Sequence, residues 1–127
     1  MKIKNLKVFN AVGLLTSSAV LAVSLSGMPA FAYADEIGLS DVCEVVDSGI
    51  AMCGCDIAHI SEEALSYVNN ADIIMAKGQA NFETLFGEGY PVYYLLLCKC
   101  DMFVARFAME KFAPVFMKEE RIIIHNK

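Results

Sequence analysis

At 127 residues the chain has room for one small domain and not for two. All fifteen acidic residues lie from Asp35 onward, together with seven of the ten basic ones, so that this part carries a net −8. Such a balance excludes nucleic acid or an anionic membrane as an extended partner, because phosphate-rich surfaces need a basic patch.

Residues 1–34 read as a signal-peptide-like leader, a helix set apart from the rest. Lys2, Lys4 and Lys7 precede an apolar run from Ala11 to Leu25, and Ala30-Phe31-Ala32 and Ala32-Tyr33-Ala34 are small-x-small cleavage patterns. Thr16, Ser17, Ser18, Ser24 and Ser26 interrupt the run, whereas a membrane span needs about 20 apolar residues. A used leader would send the protein outside the cell or to its envelope.

Residues 35–127 alternate short elements. Glu36–Leu39 closes a helix, with Gly38 at its end. Asp41–Asp47 predicts a strand burying Val42, Val45 and Val46, stopped by Ser48-Gly49. Ile50–Ile60 sustains no period and is a connection. Ser61 caps a helix whose first turn holds Glu62 and Glu63 and whose inner face is Ala64, Leu65 and Val68; Asn69-Asn70 ends it. Asp72–Ala76 is apolar enough for a strand buried on both faces. Asn81–Phe86 is the next helix, with Phe82 and Leu85 inward, broken by Gly87 and Gly89. Pro91–Cys98 is the most apolar strand, and Asp101 is placed to cap a helix Met102–Phe112. Pro114 and Lys118–Arg121 read as a turn, Arg121–His125 as a last strand. Strand and helix in alternation imply the α/β class with a mainly parallel sheet.

The stretch Ala71–Asp101 carries the chemistry. Lys77-Gly78 follows an apolar strand and precedes a helix, the arrangement that holds an anion on backbone amides and a nearby charge, and glycine lets a ligand approach closely. Lys99 ends the next strand, between Cys98 and Cys100, where an ammonium must snorkel, pair or face a site. Ligands of open α/β sheets sit beyond the carboxyl ends of the strands, so both lysines would reach one phosphate. Asn81 reads as a cap or a ligand contact, Glu83 as a surface acid and Asp72 as a solvated strand edge. His59 and His125 have no partner at ligand spacing. The five cysteines, Cys43, Cys53, Cys55, Cys98 and Cys100, are an odd number. They read mainly as small buried side chains. The alternative is a binding module in which two Cys-x-Cys pairs hold zinc or one thiol bridges to another chain.

The string ADIIMAKGQANFETL, whose strand-Lys-Gly-Gln-x-Asn-Phe-Glu-Thr-Leu block stands as Asp72–Leu85, and the leucine-rich strand ending Lys-Cys at Tyr93–Cys100, resemble the C-terminal part of the domain-of-unknown-function 89 family. These are metal-dependent damage-control phosphatases. Tyr33–Leu39 (YADEIGL) extends the resemblance toward the N-terminus. It implies an α/β/α domain in the cytoplasm. In it a divalent manganese, cobalt or nickel ion promotes hydrolysis of damaged or surplus sugar phosphates and related metabolites, and Lys77, Gly78, Asn81 and Lys99 line the phosphate side of the pocket. The family's metal ligands, an Asp-Asn pair and a further Asp, lie upstream, and this chain has no aspartate before Asp35. The expectation is therefore an incomplete three-layer α/β/α domain over residues 35–127, inactive alone, which self-associates or is completed by another chain.

Overall fold

The computed structural model describes residues 6–10 and 13–16 by their backbone, residues 36, 38, 41 and 44–50, and residues 52–125. In chain order the elements are β1 (Leu6–Asn10), β2 (Gly13–Thr16), α1 (Glu62–Asn69), β3 (Ile73–Lys77), α2 (Gln79–Leu85), β4 (Val92–Leu97), α3 (Asp101–Phe107) and β5 (Pro114–Lys118), with a 3₁₀ turn over Glu119–Arg121. The sheet order is β2-β1-β3-β4-β5.

The segment β3-α2-β4 is a parallel crossover, with Ile74 beside Val92 and Lys77 beside Leu95. β4 and β5 run antiparallel, Leu97 opposite Pro114 and Tyr93 opposite Lys118, so the sheet is mixed rather than mainly parallel. The reason lies past β4. Cys98 donates its amide to Ala113 and accepts one from Phe112, at 3.0 and 2.9 Å, which closes residues 99–111 into a long hairpin loop. Helix α3 sits inside that loop and does not cross the sheet. It ends at Ala108 in the left-handed region, φ 50, and Phe112 follows at φ 66.

Several expectations are corrected here. Pro114–Lys118 is a strand and not a turn; proline is tolerated as the first residue of an edge strand. Arg121–His125 makes no strand, although its isoleucines are β-branched: Ile122 and Ile124 pack against the core, and the His125 amide donates to the Arg106 carbonyl at 2.9 Å. Residues 44–47 are irregular, and only Val46 of them is buried; Val42 lies outside the described residues. Asp101 is the first residue of α3, not its cap, and its carboxylate accepts from Lys111 at 3.3 Å. The leader helix is not supported: Leu6–Asn10 pairs in parallel with β3 and in antiparallel with β2. Apolarity alone does not separate a buried helix from a strand, and the open side of β3 offers backbone partners that a helix would leave unmade. The cleavage patterns lie outside the described residues, and no described helix is long and apolar enough to cross a membrane.

Other elements stand as the sequence implies. Ser61 Oγ accepts the Ala64 amide at 3.1 Å, and Asn70 Nδ2 donates to the Ser66 carbonyl at the other end of α1. Gly38 has φ 68; the helix read to end there lies mostly outside the described residues. Along β4, Val92, Tyr94 and Leu96 are buried while Tyr93, Leu95 and Leu97 are not. β3 alternates likewise, so it is not buried on both faces. The buried side chains of α1, α2 and α3 join those of the strands in one cluster. Phe82 is its centre, with the rings of Phe86, Tyr94, Phe107 and Phe103 at 4.8 to 5.6 Å. Helices covering one sheet face give two layers among the described residues.

Candidate functional site

The site lies where β3 and β4 end. Alternation leaves Lys77 exposed at the last position of β3, level with Leu95. Gly78 then takes φ 99 and ψ 159, a conformation that side-chain-bearing residues rarely adopt. This lets its amide donate to the Leu95 carbonyl at 2.8 Å while its own carbonyl accepts from Phe82 and opens α2. The turn is thus pinned to both strand and helix.

Asn81 does its work from below. It is the one buried polar side chain of the described residues, fully enclosed, and its Nδ2 donates to the Lys77 carbonyl at 3.0 Å. The cap of α2 is Gly78, so Asn81 is neither cap nor wall but a clamp that fixes where Lys77 stands. Its Oδ1 has no hydrogen-bond partner.

Lys99 is exposed and its backbone turns back on Leu97 at 2.9 Å. Lys77, Gly78, Gln79, Leu95, Leu97, Lys99 and Pro114 line one cleft of about 190 Å³. Of the four residues singled out, three share the cleft and the fourth supports it. Glu83 and Asp72 are exposed. Two contributors lay beyond sequence reasoning. Gln79 reaches across to Cys100, Nε2 to Sγ 3.9 Å, and Pro114 closes the cleft from β5; both depend on the hairpin after β4. Gln79 does stand in the Lys-Gly-Gln block, which was the available signal.

The cysteine-bearing connection packs on the same helix from the other side. Gly54, φ +95, lies so close to α2 that an added Cβ would sit 2.8 Å from the Ala80 carbonyl oxygen and from Thr84. The Cys55 amide donates to Thr84 Oγ1 at 2.9 Å. Burial, then the nearby Asp56 carboxylate, pushes the Cys55 thiol up to about 12; burial, then Cys100, also raises Cys98. His59 pairs with Asp56 among the described residues, Nδ1 to Oδ2 2.8 Å.

The cleft does not fit a divalent cation. Its polar side chains are two ammonium groups and a carboxamide, while hard cations take carboxylate and carbonyl oxygens. Among the described residues no three His, Cys, Asp or Glu side chains converge to hold an ion. This includes Cys53, Cys55, Cys98 and Cys100, which are free thiols, so the four-thiolate zinc site is not assembled; Cys43 lies outside the described residues.

A small α/β domain with two lysines converging past the carboxyl ends of adjacent parallel strands belongs to the class whose site is built on strand ends. The model of the damage-control phosphatase ARMT1-like domain matches residues 9–114, and the chain belongs to that family. It is 33% identical over 84 residues to "Damage-control phosphatase PH1575" of Pyrococcus horikoshii, covering 65% of this chain and 29% of that protein. It is also 33% identical over 66 residues to "Uncharacterized protein MJ0202" of Methanocaldococcus jannaschii, covering 49% and 22%. The crystal structure of the Pyrococcus horikoshii DUF89 family protein superposes with a TM-score of 0.63 at 32% identity, over 68% of this chain and 30% of that one. The matched region thus spans under a third of these relatives' length. The family is metal-dependent, and the cleft described above supplies none of the ligands.

Proposed function

We propose that this chain carries the phosphate-receiving wall of a metal-dependent phosphatase for sugar phosphates and related phosphometabolites, and that it does not turn them over alone. The observation that carries this reading is the meeting of Lys77 and Lys99, from two different strand ends, across one cleft floored by Gly78. Two ammonium groups balance the charge of a phosphomonoester, and the charge that builds on its oxygens as the bond to the leaving group stretches. Gly78 keeps the floor low, and the Asn81 clamp holds Lys77 so that little ordering is required on binding. The metal would supply an activated water when bound, from ligands that the family carries upstream and that this cleft lacks. The relative called a damage-control phosphatase supports the activity, and the resemblance supports the substrate class.

Titration of the full chain with inorganic phosphate and with a hexose phosphate, followed by amide chemical shifts, tests the reading. Shifts should centre on Lys77, Gly78 and Lys99, and Lys99→Ala should weaken binding about tenfold, the loss of about 1.4 kcal/mol. Absence of shifts there would sink the phosphate wall. Turnover of the hexose phosphate with added manganese, abolished by Lys99→Ala, would overturn the claim that the chain does not act alone.

A further inference from the structure

The groups that line the cleft differ in what they can bond. Lys77 and Lys99 bring ammonium groups, which donate and cannot accept. Gly78, Pro114 and the leucines of β4 bring no polar side-chain atom, and the carbonyls nearest the lysines are already engaged. That of Lys77 accepts from Asn81, that of Gly78 from Phe82, that of Leu95 from the Gly78 amide and that of Leu97 from the Lys99 amide. This leaves the carboxamide of Gln79 as the sole side-chain acceptor of the cleft among the described residues.

Gln79 is half-buried, and its Nε2 reaches Cys100 Sγ at 3.9 Å. Nitrogen and oxygen point apart on a carboxamide, so a donor turned to Cys100 turns Oε1 away from it. Oε1 has no hydrogen-bond partner among the described residues. A phosphomonoester in the cleft therefore meets two kinds of group. The ammonium groups neutralise the phosphate and are blind to what it is attached to, whereas Oε1 repels phosphate oxygens and needs an O–H or N–H.

That donor must lie close to the phosphate, because Gln79 stands two residues after Lys77, at most about 7 Å along the chain. The cleft holds about 190 Å³, below the roughly 300 Å³ at which pockets for larger ligands begin, so it has room for a phosphate and a few further atoms. A hydroxyl on the carbon next to the ester bond meets both conditions. A ligand without it would shut water away from Oε1 and return no bond, and an acceptor left unpaired in this way is penalised.

We propose that Gln79 sets the specificity of this cleft: its Oε1 accepts a hydrogen bond from the hydroxyl beside the phosphoester, and so selects small vicinal hydroxy-phosphates over phosphates of plain alkyl chains. The inference rests on the phosphate reading and sharpens it, since it assigns the choice among phosphomonoesters to one side chain.

The test titrates the full chain with inorganic phosphate, propyl phosphate and 2-hydroxypropyl phosphate, two esters that differ by one hydroxyl, followed by amide chemical shifts. The hydroxy ester should bind about tenfold more tightly than propyl phosphate. Gln79→Leu should reduce that ratio to about twofold or less, and Gln79→Met, close to glutamine in length, should do the same. Glu83→Gln, at an exposed position of α2, should leave it at about tenfold. Equal binding of the two esters to the unaltered chain, or the full ratio kept in both Gln79 variants, would overturn the proposal. So would a parallel loss of all three ligands in both variants, which would make Gln79 a holder of the phosphate itself. The two readings fail apart. If inorganic phosphate binds and the esters are not told apart, the role of Gln79 falls alone; if inorganic phosphate gives no shifts, the phosphate wall falls and this proposal with it.

Discussion

On the helix side of the sheet, Ile74, Ala76, Val92, Tyr94 and Val115 are buried to 1% or less. On the other side, one residue along the same strands, Leu95, Leu97 and Phe116 meet water and two lysines end the row. The covered side is closed by polar detail as well as by packing. Tyr94 gives its hydroxyl proton to Glu119 at 2.8 Å, the same carboxylate accepts the Gly87 amide, and burial raises the Tyr94 phenol above its usual range. The open side has no such closure among the described residues. The two faces teach that strand alternation divides labour: one set of side chains makes the domain, and the alternate set is left for whatever arrives.

The sharpest way to break that comparison is to cut equal bulk from each side. Phe82→Ala, which removes the ring touched by four others, should cost about 3–5 kcal/mol in urea unfolding. Phe116→Ala should stay within about 0.5 kcal/mol. Similar losses would mean that the two faces are not distinct.

Next in size is the seal between the cysteine loop and α2. Gly54→Ala would place a Cβ against the Ala80 carbonyl at a φ that alanine resists, and should cost about 1–3 kcal/mol. A neutral result would show that the loop is not held there.

Alkali probes the same side. Burial pushes the Cys55 thiol up to about 12 in the folded protein, from about 9 for a free thiol, so the folded state favours the protonated form. That contribution is whole below about pH 9 and is lost as pH rises toward about 12, amounting to about 2 kcal/mol by about pH 10.5. Melting temperatures should fall over this range, and Cys55→Ala should fall less steeply. An unchanged slope would mean that the thiol is not buried in solution. At neutral pH, thiol reagents should label Cys53 and Cys100 well before Cys55 and Cys98, read by mass spectrometry. The smallest expected loss on the covered side is Ser61→Ala, about 1 kcal/mol from the lost cap of α1 in urea unfolding.

Much of the domain was legible because its signals are local. The apolar runs of Asp72–Ala76 and Pro91–Cys98, the Ser61 cap and the breaks at Gly87 and Gly89 each act within a few residues, although the runs did not show that only alternate side chains are buried. The hairpin after β4 was not legible. Pro114 and the neighbouring charges look like a turn, and only the bonds of Cys98 to residues 112 and 113 make them a strand. Arg121–His125 failed in the opposite sense, since β-branched residues favour a strand but need an edge to join. Of the site, Lys77, Gly78 and Lys99 could be read because strand ends place them. The clamp of Asn81 on the Lys77 carbonyl is local but depends on the turn geometry that Gly78 sets, and the reach of Gln79 to Cys100 depends on a contact across elements that spacing does not encode.

Ala108 and Phe112 add a practical consequence. Both hold left-handed backbone without being glycine, at a cost of about 1 kcal/mol or more each. The hairpin that delivers Pro114 to the cleft is therefore kept under tension by its own residues. For an engineer this is a reserve: Ala108→Gly, and Phe112→Gly beside it, would release the tension without touching either face of the sheet, and would give a sturdier scaffold on which more disruptive substitutions could be borne.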